Sequence, residues 1–426
     1  KRLSLILAAL MILSSFSFAV SVNADESKIY EKATDELIAE YYARAMALKD
    51  EIMNTKTEVT YTGTAYYISP YGNDANDGLT PDTAWRSPSK ISGAGFLKEG
   101  DAVLFERGGV YRFIDPISTK NGVTYSAYGT GAKPKLVGSI DASAKNAWNK
   151  TDAENVYVYR EAITRDVGNI VFDLGICNGI KMQSLLDNGT VSNGLETFKS
   201  GGQLIKGPAD LKNDLEYWHD PDSKLLYLKS DDGAPADRFI SIELVDYGHG
   251  MKGEAKDVTI DNLAFFGFGS HAIGYGSGVN LKVQNCAFSF IGGSRQGSGT
   301  GRYGNAVEIY GGCDGYVIDH CYADNVYDCC WTVQHSNGAA ESSIYFKDTT
   351  FTNNVAMYSN SGPEVWLGET PAKGFEDKVE GKIINMKVSG NYTLYSGYGW
   401  SHQRPNKDGN FVYGGTAATT TTYENV

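Results

Sequence analysis

"IDNLAF" at 260–265, "VQNCAF" at 283–288, "IDHCYA" at 318–323, "FKDTTF" at 346–351 and "VSGNYT" at 388–393 are five runs that can be laid over one another. Each begins with an apolar residue, carries a polar or small residue at its third position, and mostly ends on an apolar residue. Unequal intervals separate the runs, and Gly/Ser-rich stretches such as 293–303 lie within them. This recurrence indicates a solenoid in which every coil adds one strand to a shared interior.

The chain upstream of these runs has the same texture. From Tyr66 onward short β-type segments alternate with Gly, Asn and Asp, and the 426 residues include 49 glycines but only 11 prolines. Such a pattern predicts an all-β, turn-rich domain. Three segments follow one another in a specific order: "YYISPYGNDANDGLTPDTAWRSPSKI" (66–91), "LKEGDAVLFERGGVYR" (97–112) and "NGVTYSAYGTGAKPKLVG" (121–138).

Those three segments resemble the opening of secreted proteins of the pectin lyase-like superfamily. The resemblance implies a right-handed parallel β-helix and carbohydrate chemistry, although the superfamily includes lyases, hydrolases, epimerases and adhesive proteins. Within this all-β fold we expect one departure, an antiparallel hairpin insertion over 214–230, because "DLEYWHDPDSKLLYLKS" alternates on both sides of an Asp-Pro-Asp-Ser turn.

The domain organisation follows from the composition along the chain. Residues 1–24 combine two positive charges, an apolar stretch and small residues before a cleavage point, which predicts a secretory signal peptide. Residues 25–56 form a helical segment, since apolar residues recur every three or four positions over 28–54. Residues 57–426 form the β-helix domain, which we expect to be truncated at its C-terminus.

Charge and cysteine content limit the partners. The formal net charge of −13 opposes binding to nucleic acid and to anionic membranes, so we expect neither partner once the signal peptide is cleaved. We predict a poly- or oligosaccharide substrate and a secreted or cell-surface location. The six cysteines lack the spacing of a zinc site, and either a disulfide or stacked buried thiols would suit them.

Counting twelve residues from the third position of a run reaches the next strand, once loops are left out of the count. Repeating this count in each coil produces two rows of side chains that point outward. Apolar neighbours such as Val307 and Ile309 then turn inward, because strand side chains alternate. The first row is Gly274, Glu308, Thr332, Glu364 and His402, and the second is Gly276, Tyr310, Gln334, Trp366 and Arg404.

Two carboxyl groups in the first row suggest catalysis. Glu308 and Glu364 stand two strands apart, so their backbones would be roughly 9 to 10 Å from each other. This spacing suits an inverting glycosidase, and side chains that lean together could approach the shorter distance of a retaining pair. Asp328 and His335 flank the central strand, where we expect them to cap turns.

The second row supplies groups that bind sugars. Tyr310 and Trp366 offer flat apolar faces for pyranose rings, and Gln334 offers hydrogen-bond donors. His402 and Arg404 complete the predicted substrate-binding set, as partners for hydroxyl or carboxylate groups.

Three functions remain open at this point. The first is a secreted glycoside hydrolase that uses Glu308 and Glu364 and needs no cofactor, with the roles inside the pair unassigned. The alternative is a polysaccharide lyase acting on a uronate polymer, with Arg404 neutralising the substrate carboxylate, His402 as the base, and calcium as a cofactor. The third is a noncatalytic glycan-binding or adhesion solenoid.

Overall fold

A computed structural model describes residues 34–182, 199–200, 203–296, 301–340, 342–371, 374, 379–404, 413–414 and 421–424. The predicted signal peptide, 1–24, lies outside these ranges. No helix within the described ranges is long and apolar enough to cross a membrane. The α-helices are Asp35–Asn54 and Pro235–Arg238, and the 3-10 helices are Pro81–Thr83, Pro88–Lys90, Lys145–Ala147, Asp173–Gly175, Pro208–Asp210 and Gly399–Gln403.

Three long sheets with parallel pairing contain most of the strands in the described chain. Sheet A contains Ala65–Ile68, Ala102–Glu106, Thr124–Tyr128, Thr259–Asp261, Gly278–Gln284, Cys313–Asp319, Ile344–Thr352, Gly381–Ile384, Lys387–Ser389 and Thr421–Glu424. Sheet B contains Val110–Arg112, Lys135–Val137, Ala264–Phe266, Ala287–Ile291, Tyr322–Val326, Val355–Met357 and Tyr392–Leu394. Sheet C contains Ile117–Thr119, Met251–Gly253, Ile273–Tyr275, Val307–Ile309, Cys329–Ala340, Ser361–Pro371 and Tyr413–Gly414.

The chain visits the three sheets in turn. Thr259–Asp261 lies in sheet A, Ala264–Phe266 in sheet B and Ile273–Tyr275 in sheet C, and Gly278–Gln284 then returns to sheet A beside the first strand. The same cycle repeats in the following coils. The prediction of a mostly β chain with long parallel sheets is therefore confirmed, and the right hand of the coil stays a prediction.

Four of the five sequence runs have the predicted register in sheet A. Neighbouring coils align Ile260, Val283, Ile318, Phe351 and Val388 as successive Cα partners. The fourth run was placed wrongly, because Phe351 rather than Phe346 occupies that register position. Both phenylalanines are fully buried on one strand of nine residues, so the sequence offers two apolar starting points.

The third position of each run has a backbone reason for its composition. Asn262, Asn285 and His320 occupy this position in three runs, and Asn353 occupies it in the fourth run once that run begins at Phe351. All four residues have φ between 50 and 57°. Asparagine tolerates this left-handed conformation better than most residues, and Gly390 takes the position in the last coil with a φ of 67°. The recurrent polar or small residue therefore marks the bend between sheets A and B.

Apolar side chains from all three sheets fill the interior. Val307, Ile309, Trp331 and Val333 of sheet C are completely buried in it, which confirms the inward half of the predicted alternation. All six cysteines are free thiols, and five of them are buried. Of the two options for the cysteines, the structure therefore has buried thiols.

The N-terminal helix is described over Asp35–Asn54, within the predicted 28–54. Ala45 and Ile52 are buried against a sheet B cluster that includes Tyr322 and Val355. The ammonium group of Lys49 lies 4.5 Å from the ring centroid of Tyr322. The second half of the helix is thus part of the packed domain.

Truncating Ile52 should therefore destabilise the domain. We expect Ile52→Ala to lower the free energy of unfolding by about 2 to 3 kcal/mol, because it removes a buried side chain and leaves a cavity. Urea unfolding measures this loss. Met53 is the matched control, since it is adjacent and 38% exposed, and Met53→Ala should cost far less. Equal losses in the two variants would contradict the packing described here.

Residues between 140 and 246 form smaller sheets beside the coils. One contains Ile140–Asp141, Val167–Phe172, Cys177–Asn178 and Ile242–Asp246, and another contains Trp148–Lys150, Val156–Tyr159, Ile180–Met182, Glu216–His219 and Leu226–Lys229. A two-stranded pair joins Lys199–Ser200 to Gln203–Leu204. Glu216–His219 and Leu226–Lys229 pair antiparallel, with Trp218 opposite Tyr227. We refer to residues 140–246 as the side module.

Candidate active site

A cleft of about 880 Å³ lies on the outer face of sheet C. Its floor comes from the strands that carry Gly274, Glu308 and Glu364. Further walls come from the turns that enter sheet C, from Tyr247 directly after the side module, and from Arg404. Several separate parts of the sequence therefore meet at one site.

The predicted first row is correct as far as Glu364. Gly274 is the Cα partner of Glu308, Glu308 of Thr332, and Thr332 of Glu364. In the second row Gln334 pairs with Trp366, and the N–H of Tyr310 donates to the carbonyl of Tyr275 at 3.0 Å. The side chain of Trp366 lies outside the described part of the structure.

The rows do not continue to His402 and Arg404, so this part of the register was wrong. Glu364 pairs with Tyr413, whereas His402 belongs to the 3-10 helix Gly399–Gln403 and its side chain is not among those described. The buried amide of Gln403 donates to the carbonyl of Gly179 at 2.8 Å. A segment that docks on the side module thus interrupts the coil, and a count along the chain cannot detect it.

Glu308 is held in place by hydrogen bonds. Its side chain is 12% exposed, and its Oε2 accepts from the amides of Asn305 at 2.5 Å and Gln334 at 3.0 Å. Burial raises the pKa of Glu308 to about 7, and the negative charge of Asp328 adds to this, although both amide hydrogen bonds act in the opposite direction. Glu308 can therefore carry a proton near neutral pH.

His271 faces Glu308 in its neutral form. Burial lowers the pKa of His271 to about 4. Its Nδ1 accepts a hydrogen bond from the N–H of Asn305 at 3.0 Å, which places the proton of the neutral ring on Nε2. That Nε2 lies 3.4 Å from Oε1 of Glu308. The imidazole thus presents an N–H to the carboxyl group.

Glu364 lies beside a buried ion pair. A guanidinium nitrogen of Arg404 is 2.9 Å from Oδ1 of Asp328, and the two side chains are 15% and 8% exposed. Burial raises the pKa of Glu364 to about 7, and the charge of Asp328 adds to it, whereas Cys329 and Arg404 lower it. Three carboxyl groups therefore line the cleft rather than the two that were predicted, and Asp328 is not only a turn cap.

A third row explains which residues the sequence reasoning missed. His271, Asn305, Cys329 and Ser361 stand three residues before Gly274, Glu308, Thr332 and Glu364. They connect coil to coil: the N–H of Cys329 donates to Oδ1 of Asn305 at 3.0 Å, and the hydroxyl of Ser361 donates to Sγ of Cys329 at 3.0 Å. The constant offset from the first row was a signal in the sequence that could have found this row.

The remaining lining is aromatic and uncharged. Tyr303 and Tyr310 are exposed at the cleft, and the ring of Tyr310 lies 4.9 Å from that of His335. Across the described ranges no three His, Cys, Asp or Glu side chains are grouped so that they could hold a metal ion. The site thus combines acidic groups whose pKa is raised with aromatic faces, which suits proton transfer to and from a sugar substrate.

Comparison with known proteins gives distant likenesses. No family model matches the chain. A lacto-N-biosidase of Bifidobacterium longum subsp. longum is 26% identical over 148 residues, which are 33% of this chain and 9% of that protein. The chain therefore matches only a small part of that relative.

Solved structures give weaker similarities. A structure described as a glycoside hydrolase covers 85% of this chain and 96% of its own, with a TM-score of 0.39 and 10% identity. A GH136 lacto-N-biosidase from Eubacterium ramulus covers 85% of this chain and 68% of its own, with a TM-score of 0.29 and 15% identity.

Proposed function

We propose that this protein is a carbohydrate-active enzyme that hydrolyses glycosidic bonds, with Glu308 and Glu364 as its catalytic carboxyl groups. The observation that carries the proposal is that both stand in one row of one cleft, each with a pKa raised to about 7 by burial. A glycosidase needs one carboxyl group that is protonated at working pH and another that is ionised.

The chemistry divides between the two residues. One protonates the glycosidic oxygen as the bond to the anomeric carbon breaks. The other, ionised, either removes a proton from the attacking water or attacks the anomeric carbon itself. The two backbones stand two strand spacings apart, roughly 9 to 10 Å.

Thr332 and Asp328 support this pair. Thr332 lies between the two glutamates and is fully buried, and its hydroxyl has no hydrogen-bond partner within the described residues. The backbone of Thr332 is one strand spacing, about 4.8 Å, from that of each glutamate. Asp328 raises the pKa of both glutamates. Its charge thus favours a state in which one of them keeps a proton.

A lyase acting on a uronate polymer is the second candidate, because the side chain of Arg404 enters the cleft. A guanidinium could neutralise the uronate carboxylate, with His402 as the base and calcium as a bridge. Arg404, however, already pairs with Asp328. The sequence similarity to a lacto-N-biosidase also favours hydrolysis. A noncatalytic glycan-binding solenoid remains the third candidate.

We further propose that the protein is exported and acts outside the cell as a right-handed β-helix. The leader-like composition of residues 1–24 supports export, and the cyclic visit of the chain to sheets A, B and C supports the β-helix.

Product analysis tests the proposed reaction. Purified protein is incubated with neutral glycans and with uronate polymers, and both reducing ends and the ultraviolet absorbance of unsaturated products are followed. We expect reducing ends from a neutral glycan without the ultraviolet chromophore. The chromophore would show elimination instead, and glycan binding without any product would favour the noncatalytic solenoid.

A further inference from the structure

A strip of the cleft beside Glu308 carries no side chains. Gly274 is the Cα partner of Glu308, and Gly276 follows two residues later, beside Tyr310. Tyr275, between them, points inward and shares a hydrogen bond of 3.1 Å with the hydroxyl of Thr119. Both glycines line the cleft, and we call this pair the glycine floor.

The backbone conformation does not require glycine at these positions. Neither Gly274 nor Gly276 has a positive φ. A Cβ at Gly274 would lie 2.9 Å from Cδ2 of His249, so this position is small because the imidazole approaches closely. A Cβ at Gly276 would have no atom of the described residues within 4 Å. The floor is therefore closely approached by His249 at Gly274, beside Glu308, and open at Gly276, beside Tyr310.

Apart from Glu308, the described side chains that line the cleft around the glycine floor are uncharged. Burial lowers the pKa of His249 to about 3, and His271 and Lys252 add to this, so the ring is neutral at physiological pH. His249 packs 6.0 Å from the ring of Tyr247. Nε2 of Gln296 lies 3.3 Å from Nε2 of His271. These side chains offer donors and acceptors without charge.

Aromatic faces complete the surroundings. Tyr303 and Tyr310 line the same cleft and are exposed. Neutral hydrogen-bonding groups next to aromatic faces are what a pyranose ring needs, since its edges carry hydroxyls and its faces are apolar. Arg404, the cation of the described cleft lining, pairs with Asp328, and Lys252, whose charge reaches His249, is not part of that lining.

We propose that the glycine floor is a sugar subsite that holds an uncharged pyranose ring next to the bond cleaved at Glu308. This inference rests on the proposed function. The substrate then runs across the strands of sheet C, from the floor over Glu308 and towards Glu364. The side-chain-free strip lets the ring lie against the backbone, within reach of His249 and Gln296.

Filling the floor tests this subsite. Gly276→Trp places an indole in the open space without backbone strain, because the φ of Gly276 is ordinary and no neighbour would clash with a Cβ. The probes are tetrasaccharides of glucose, xylose, galactose or N-acetylglucosamine, together with tetragalacturonate, titrated calorimetrically. We expect at least tenfold weaker binding of the uncharged tetrasaccharide that binds the wild type, and a raised KM if that tetrasaccharide is cleaved.

Two variants serve as controls. Gly276→Ala adds one methyl group to the floor and should weaken binding less than Gly276→Trp does. Gly95→Trp adds an indole at another glycine with open space, outside the cleft lining, and should leave binding unchanged.

The outcomes distinguish failure of the proposed subsite from failure of the proposed function. If the wild type binds an uncharged tetrasaccharide and Gly276→Trp binds it equally well, the subsite is wrong and the proposed function stands. Preferred binding of tetragalacturonate would overturn the uncharged ligand class. If no tetrasaccharide is bound or cleaved by the wild type, the proposed function fails and the subsite falls with it.

Discussion

We expect Glu308→Gln to lower kcat/KM for the proposed glycoside hydrolysis by about a thousandfold, the usual scale for removing a general acid or base. Glutamine keeps the shape and can still accept from Gln334, which donates to Oε2 of Glu308 at 3.0 Å. It cannot, however, give or take the catalytic proton. Steady-state kinetics on the cleaved substrate measure the loss.

The same substitution is not expected to destabilise the fold above neutral pH. Burial raises the pKa of Glu308 from an ordinary value of 4.5 to about 7. Between these values the folded state binds more protons than the unfolded state, so the free energy of unfolding falls as pH rises. The substituted amide carries no charge at any pH, and the Glu308→Gln variant should therefore gain stability relative to wild type from pH 4.5 to 7 and keep this gain above pH 7.

The control for this prediction is a carboxylate away from the cleft. Glu380 accepts a hydrogen bond from the hydroxyl of Tyr345 in sheet A, and Glu380→Gln should retain full activity. Glu364→Gln should resemble Glu308→Gln. Because Glu308 and Glu364 interact, their pKa values near 7 belong to the pair, and activity should fall on the alkaline side of neutrality. Full activity in both cleft variants would remove the assignment.

Local periodicity explains how much of this site the sequence could predict. Side chains alternate along a strand, so placing Val307 and Ile309 inside forces Glu308 outward, and one correct register aligns it with Glu364. The alternation rule predicted the wrong register in the fourth run, because Phe346 and Phe351 lie on a single long strand and either could have been its first apolar residue. Alternation fixes the face of a residue, but neighbouring coils fix its register.

Long-range packing accounts for the other errors. Arg404 reaches the cleft because Gln403 docks on the side module, more than two hundred residues earlier in the chain. No periodic pattern within the last coil contains that contact. The sequence predicts turn capping for Asp328 because this residue flanks the central strand. Its part in the site depends on Arg404 and on Glu364, which belong to later coils.

Arg404→Met should lower the free energy of unfolding by about 3 to 5 kcal/mol, since removing one partner of a buried ion pair leaves the other charge unpaired. Asp328 is the charge that remains, at 8% exposure. The variant should also shift the alkaline limb of the activity profile to higher pH, because Arg404 lowers the pKa of Glu364. Urea unfolding and a pH–rate profile measure the two effects.

A second substitution separates the charge from the packing. Adding Asp328→Asn to Arg404→Met removes the unpaired charge, so the double variant should recover much of the lost stability, whereas lost packing would not recover. Arg404→Lys keeps a positive charge without the planar guanidinium and should fall between the wild type and Arg404→Met. If Arg404→Met unfolds like the wild type and has the same pH profile, the ion pair between Arg404 and Asp328 neither stabilises the fold nor changes the pKa of Glu364.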